Sequence, residues 1–307
     1  MPAHGLAKTR VELMRIAVTG KHGQLAQSLQ ERVATIAGIS LVCIGRPELD
    51  LARPAGLMQA LAGCNADLVI NAAAYTEVDK AESDADAAFA VNAAGAGAVA
   101  HAAADLGLPV IQLSTDYVFD GEASLPYTET AKTNPVSVYG ASKLAGEAAV
   151  IAANPQHLVI RTAWVYSPFG KNFVKTMLRL AGERETLRII DDQTGNPTSA
   201  LDLADGILRA AHAVVHPGFK DWGVYNIAGS GSTSWAGFAA HIFDKSGRAG
   251  GASAKIDPIA AAEFVTAAKR PSNSQLDCTK TETIFGYRAP DWRKSCSIIV
   301  KRLLAES

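Results

Sequence analysis

Short, almost unbroken apolar runs alternate along the N-terminal part of the chain with longer stretches whose apolar residues recur every three or four positions. Arg15-Ile-Ala-Val-Thr19 reads as a buried strand that ends in a glycine turn, and Gln24 to Ile36 has the spacing of the helix that follows. Ser40–Ile44, Asp67–Asn71, Pro109–Ser114 and His157–Thr162 repeat the strand pattern. An alanine-rich stretch, Ala81 to Leu106, and the run Ser137 to Ala153 repeat the helical one. Strands that are apolar throughout, each followed by a helix, predict a doubly wound α/β fold: a parallel sheet covered on both faces.

Beyond Tyr166 the pattern loosens. Asn172 to Ala181 and Leu201 to Ala213 are predicted helices, Thr186 to Ile190 a strand, and Val224-Tyr-Asn-Ile-Ala228 one more strand of the main sheet. Thr233 to Ser307 reads as less regular and turn-rich, as at Arg270-Pro-Ser-Asn273. The expected organisation is a dinucleotide-binding domain of residues 14–167 and 198–230, with a smaller discontinuous substrate lobe of 168–197 and 231–307 over the C-terminal strand ends. Residues 1–13 carry no such pattern and are expected to form a disordered leader.

Composition narrows the partners. With 48% hydrophobic residues, 19% charged residues and a net charge of −1, the chain offers no electrostatic footprint for nucleic acid or an anionic membrane. Its first apolar run is too short to span a bilayer. The cysteines, at 43, 64, 278 and 296, form no C-x-x-C pair and lie near no histidine cluster, the usage expected of free thiols in the cytoplasm.

Chemistry concentrates at the strand ends. Thr19-Gly20-Lys-His-Gly23-Gln-Leu-Ala26 sits between the first strand and its helix, the context a dinucleotide loop requires. Gly20 permits the tight turn, Gly23 lets backbone approach a pyrophosphate, and the helix start offers free N–H groups to an anion. Gly45-Arg46 ends the second strand without the carboxylate that would select a ribose hydroxyl. A guanidinium there pairs with a 2′-phosphate, so the reading favours NADPH with NADH as the alternative. Asp50 and Leu51, slightly downstream, are placed to meet the adenine. Small residues in Asn71-Ala-Ala-Ala74 let a flat nicotinamide nucleotide lie close to the backbone, and Ser114-Thr115-Asp116 ends the fourth strand at the same sheet edge. Tyr139-Gly-Ala-Ser-Lys143 then puts a phenol and an ammonium one helical turn apart, where the cation is expected to lower the phenol's pKa.

These residues resemble the extended short-chain dehydrogenase/reductase family, and within it the reductases of dTDP-linked 4-keto sugars. The resemblance spans the chain after Met14 and is carried by Gly20–Leu25, Asn71–Glu82, Ser114–Phe119, Asn134–Gly140, Arg161–Tyr166, Asn172–Met177 and Asp192–Thr198. It implies that Tyr139 is the proton donor, Lys143 binds the nicotinamide ribose and depresses the phenol, and Thr115 meets the reacting carbonyl. It also implies cofactor contacts at Gly23, Gln24, Leu25, Asp50, Leu51, Ala74, Tyr75 and Thr76, which join Gly20, Arg46 and Leu113 as cofactor candidates, and sugar contacts at Thr115, Asp116 and Trp164, beside which Asn172 and Arg270, a cation in a turn with Pro271, are candidates for the sugar nucleotide. The implied reaction is reduction of the C4 ketone of dTDP-4-dehydro-6-deoxy-L-mannose. Some members form homodimers bridged by magnesium; no set of acids here matches that bridge, so no metal site is assigned. Two alternatives remain open: another nucleotide-sugar enzyme, such as a 4-epimerase or epimerase-reductase, and a noncatalytic regulatory subunit of the kind that binds methionine adenosyltransferase.

Overall fold

A computed structural model describes residues 13–306. The expected leader therefore lies, apart from Leu13, outside the described residues. Six strands make the main sheet: β1 (Met14–Thr19), β2 (Ile39–Ile44), β3 (Leu68–Asn71), β4 (Val110–Thr115), β5 (His157–Thr162) and β6 (Gly223–Asn226). Their spatial order is β6-β5-β4-β3-β1-β2, and every pairing is parallel.

The near-continuous apolar runs have a simple cause, because side chains alternate across a strand and both faces of this sheet are covered. Ile16, Val18, Leu68, Ile70, Ile111, Leu113, Leu158 and Ile160 face one core, shared with helices Gln24–Val33 and Ala200–Val214. Ala17, Val69, Val110 and Val159 face the other, shared with Leu57–Gly63, the helical run Ala85–Asp105 and Val138–Ala153. That run is, among the described residues, the one helix long and apolar enough to cross a membrane, and it packs on the sheet and on Val138–Ala153.

The alanine-rich stretch is not one regular helix. A short helix, Val78–Ala81, is followed by a break, and Ala90–Gly95 winds into a wider π turn inside the longer run. Such turns concentrate at functional sites, and this one turns Asn92 inward, where the residue is buried.

The region expected to be irregular also differs. Trp235–Arg248 and Trp292–Ala305 are both 14-residue helices. Gly237 and Gly247 lower the intrinsic propensity of the first. Its buried residues Ala236, Phe238, Ala239, Ile242, Phe243 and Ser246 nevertheless mark one face at helical spacing, and packing decides the outcome. The two helices, Phe173–Glu183 and the Thr186–Ile190 strand enclose a separate core of Val174, Met177, Leu187, Ile189, Phe243, Ile299 and Val300. Strand Lys255–Ile259 pairs in parallel with Thr186–Ile190, and Asn273–Ser274 pairs with Thr194–Gly195.

Two glycines set how closely helix Val138–Ala153 approaches its neighbours. A Cβ at Gly140 would lie 2.2 Å from the Tyr117 carbonyl oxygen, and one at Gly146 would lie 2.0 Å from that of Asn92. Gly146→Ala is therefore expected to destabilise the protein by about 1–3 kcal/mol. Gly182→Ala, in helix Phe173–Glu183 with nothing within 4 Å of the added Cβ, should stabilise it by about 0.4–1 kcal/mol. Urea unfolding of the two variants beside the parent checks both signs.

Candidate active site

The strand order reverses between β1 and β3, and open parallel sheets bind ligands in the crevice beyond the carboxyl ends at such a point. The glycine loop leaves β1 there, and the Ala72–Thr76 segment leaves β3 beside it. Gly20 has φ of +91°, and its Cα comes so near Ala73 that an added Cβ would sit 3.3 Å from the Ala73 backbone. Thr19 Oγ1 donates to Asn71 Oδ1 and accepts from the Ala73 amide at 3.3 Å, which ties the two loops together. Gly23 is the N-cap of helix Gln24–Val33, with no side-chain cap and open space before its Cα. The first N–H groups of that helix lack intrahelical partners, so the residues present fit an anionic dinucleotide.

The reacting groups come from β4 and the helix across from it. Thr115 ends β4, in register with Thr162 of β5, and is buried. Ser137 caps the helix by accepting from the Gly140 amide, which starts the turn that presents Tyr139. Tyr139 is half-buried and shares a hydrogen bond with Thr115. Tyr117 meets its ring edge-on, with centroids 5.5 Å apart. Lys143, 4% exposed, donates to the Leu113 carbonyl at 2.5 Å.

One expectation is corrected. The phenol of Tyr139 is not depressed by Lys143: burial pushes it up to about 12, the Asp116 carboxylate adds to the rise, and only the Thr115 hydrogen bond opposes it. The Lys143 ammonium is drawn to the Leu113 carbonyl, and burial pulls its own value down to about 8 against the pull of Glu147. At neutral pH the phenol therefore carries its proton, the form a proton donor needs. Asp116 is raised to about 6, first by burial, with the Ser274 and Thr115 hydroxyls opposing.

The remaining residues separate by surroundings. Arg46 is exposed just past β2, while Lys21 in the glycine loop pairs with Glu48 at 2.6 Å. Asp50 accepts from the Ala52 amide at 3.0 Å, and Leu51 is buried in the second-face core. Ala74 and Tyr75 are half-buried beside the crevice and Thr76 is exposed. Leu25 packs inward, so only its backbone is available to a ligand. Trp164 is half-exposed.

Two residues expected at the substrate also have partners within the protein. The Asn172 side chain caps helix Phe173–Glu183 by accepting from the Lys175 amide at 3.2 Å, and its Nδ2 donates to the Ser167 carbonyl at 2.8 Å and to Gln24 Oε1 at 3.2 Å. Gln24 also accepts from Ser167 Oγ at 2.7 Å, so it holds the Ser167 to Asn172 segment against the glycine loop. Arg270 pairs with Asp79 at 2.6 Å and shares a hydrogen bond with Tyr117, beside the site.

Asn92 escaped the sequence reading. Its Oδ1 accepts from the Tyr75 amide at 2.8 Å, and its Nδ2 donates to the Tyr75 carbonyl and to Ser142 Oγ, each at 3.0 Å. The signal available was one carboxamide in a run of alanines. Among the described residues no group of three or more His, Cys, Asp or Glu side chains is placed to hold a metal ion.

Fold and constellation together define a class: a Rossmann-type oxidoreductase of the extended short-chain dehydrogenase/reductase kind. A family model described as RmlD substrate binding domain matches residues 14–305, and the chain belongs to that family. It is 46% identical over 294 residues to a dTDP-4-dehydrorhamnose reductase of Sinorhizobium fredii, covering 95% of this chain and 99% of the relative. Among solved structures, a dTDP-4-dehydrorhamnose reductase from Clostridium acetobutylicum superposes with a TM-score of 0.88 at 36% identity, covering 95% of this chain and 100% of the other. Another, from Bacillus anthracis in complex with NADP, gives 0.85 at 33% identity and covers 96% and 99%.

Asp116→Asn tests the electrostatics. Removing the carboxylate relieves one of the two causes that raise Tyr139, so the phenol should ionise at lower pH. Because a reductase uses the protonated phenol, the basic limb of its kcat/KM profile should move to lower pH. An unmoved limb would separate Asp116 from the proton donor.

Proposed function

We propose that this chain reduces the C4 ketone of dTDP-4-dehydrorhamnose to the alcohol of dTDP-L-rhamnose with NADPH, NADH being the alternative donor. The observation that carries the reading is the convergence of Thr115, Tyr139 and Lys143 on the sheet edge that also holds the glycine loop. In this reading residues 14–167 and 198–230 hold the dinucleotide, and 168–197 with 231–307 form the wall facing the sugar nucleotide. A reduced nicotinamide, when bound, supplies the hydride.

The chain's own groups manage the charge that develops on oxygen. Tyr139 gives its proton to the forming alkoxide, and its high pKa keeps that proton available at neutral pH. The hydroxyl of Thr115, hydrogen-bonded to the same phenol, steadies the oxygen during the transfer. Lys143 keeps a buried cation one helical turn from the phenol, held on the Leu113 carbonyl, where it is placed to meet the nicotinamide ribose. Asp116 and Trp164 face the sugar. Arg270 shares a hydrogen bond with Tyr117, whose ring meets that of Tyr139, and a diphosphate reaching it competes with Asp79. Free thiols at Cys43, Cys64, Cys278 and Cys296 accord with a cytoplasmic enzyme.

Oxidation of NADPH or NADH by purified protein and dTDP-6-deoxy-L-lyxo-4-hexulose, followed by absorbance, tests the reaction. No change with either cofactor refutes it. Retention of the dinucleotide with epimerised sugar would instead indicate an epimerase. Tyr139→Phe should lower turnover by at least about 10²-fold with cofactor binding intact.

A further inference from the structure

Trp164 adopts φ of +46°, in the left-handed region that a bulky side chain rarely enters. Its neighbours account for this. One face of the indole lies flat on Trp235, with centroids 3.5 Å apart and planes 8° from parallel. Gly195 borders the ring so closely that a Cβ there would come within 2.5 Å of Trp164 Cε2. The Trp164 carbonyl accepts from the Thr198 amide at 3.1 Å, which fixes the backbone at the same point.

Trp235 is itself held. It opens helix Trp235–Arg248, whose cap Ser234 accepts from the Gly237 amide at 3.0 Å. Phe173 packs against it at 4.7 Å and stacks in turn on the fully buried Phe238. The stack thus joins a residue just past β5 to the core of the C-terminal lobe. Both indoles remain half-exposed.

We propose that Trp235 is a positioning residue: it braces Trp164 from behind and sets the angle at which that ring meets the apolar face of the substrate's hexose. The inference rests on Trp164 being the sugar platform of the reaction proposed above. Aromatic pairing is directional, and an offset or tilted ring loses contact over its whole face, so the brace governs sugar affinity and leaves dinucleotide binding alone.

The test compares the full chain with Trp235→Ala, Trp235→Phe, Trp164→Ala and the double alanine variant, measuring KM and kcat for the 4-keto sugar nucleotide and for NADPH. Trp235→Ala should lower kcat/KM for the sugar by about 2- to 10-fold, with the NADPH KM unchanged, and Trp235→Phe should restore most of it. In the Trp164→Ala background the loss of Trp235 should add nothing. An additive loss would mean that Trp235 meets the ligand itself, and no loss at all would mean that it braces nothing; either overturns the proposal. Trp235→Leu replaces the alanine variant should that one fail to fold. Wild-type turnover tests the underlying reaction separately. If it is absent, near-ultraviolet circular dichroism still reads the brace: Trp164→Ala and Trp235→Ala should remove the same band and the double variant no more, whereas two independent bands would sink it.

Discussion

Burying Glu147 and Arg161 beneath the helix that carries Tyr139 and Lys143 is tolerable only because the two charges meet each other. Arg161 Nη2 and Nε donate to the two carboxylate oxygens at 2.6 and 2.9 Å, Ser114 Oγ adds a third bond at 2.5 Å, and Arg161 Nη1 reaches the Glu129 carbonyl at 3.2 Å. Removing one partner of such a pair leaves an uncompensated charge, at a cost of about 3–5 kcal/mol. Tyr139, Lys143 and Glu147 follow one another at four-residue intervals, so one stripe of one helix carries all three. Pinning Glu147 to β5 through Arg161 and to β4 through Ser114 therefore fixes the height and rotation at which the phenol and ammonium meet the strand ends.

That placement also determines the proton chemistry. Glycines at 140 and 146 bring that helix close against the Tyr117 and Asn92 backbone, and Lys143 is buried with the Leu113 carbonyl and a carboxylate one turn away for company. Tyr139, half-buried, sits beside Asp116. The pair is consequently a protonated donor with a cation held in reserve, rather than a phenol already poised near neutrality. The loops on the other side of the crevice are held with similar economy: one carboxamide, Asn92, joins the Ala74–Thr76 segment to the catalytic helix through Tyr75 and Ser142.

The sheet was legible because burial on both faces writes itself as unbroken apolar runs, and Arg15–Thr19, Asp67–Asn71 and His157–Thr162 fall within a residue of the observed strands. The helices Trp235–Arg248 and Trp292–Ala305 were not legible, since glycines, polar residues and tryptophans obscure a face that exists only against a partner. Spacing alone brought Tyr139 and Lys143 together on one helix, yet the phenol's shift has the opposite sign, because desolvation and the Asp116 carboxylate raise it while the ammonium is held on the Leu113 carbonyl. Arg270 looks like a free cation in the sequence, and its pairing depends on Asp79 far away in the chain, whereas Asn172 is held by the helix it caps and by Ser167 and Phe169 nearby, with Gln24 as its one distant partner.

Local order, then, was the chain's own to determine: strand runs, the glycine turn after the first strand, the helical spacing of phenol and ammonium, and the order in which they reach one sheet edge. These follow from periodicity and backbone sterics, which act over a few residues. Only the tertiary structure decided the ionisation of Tyr139 and Lys143, the strained seat of Trp164 on Trp235, and which polar groups the fold keeps for itself. Each of those depends on burial and on charges or rings contributed by residues distant in sequence, and neither quantity exists until the chain has packed.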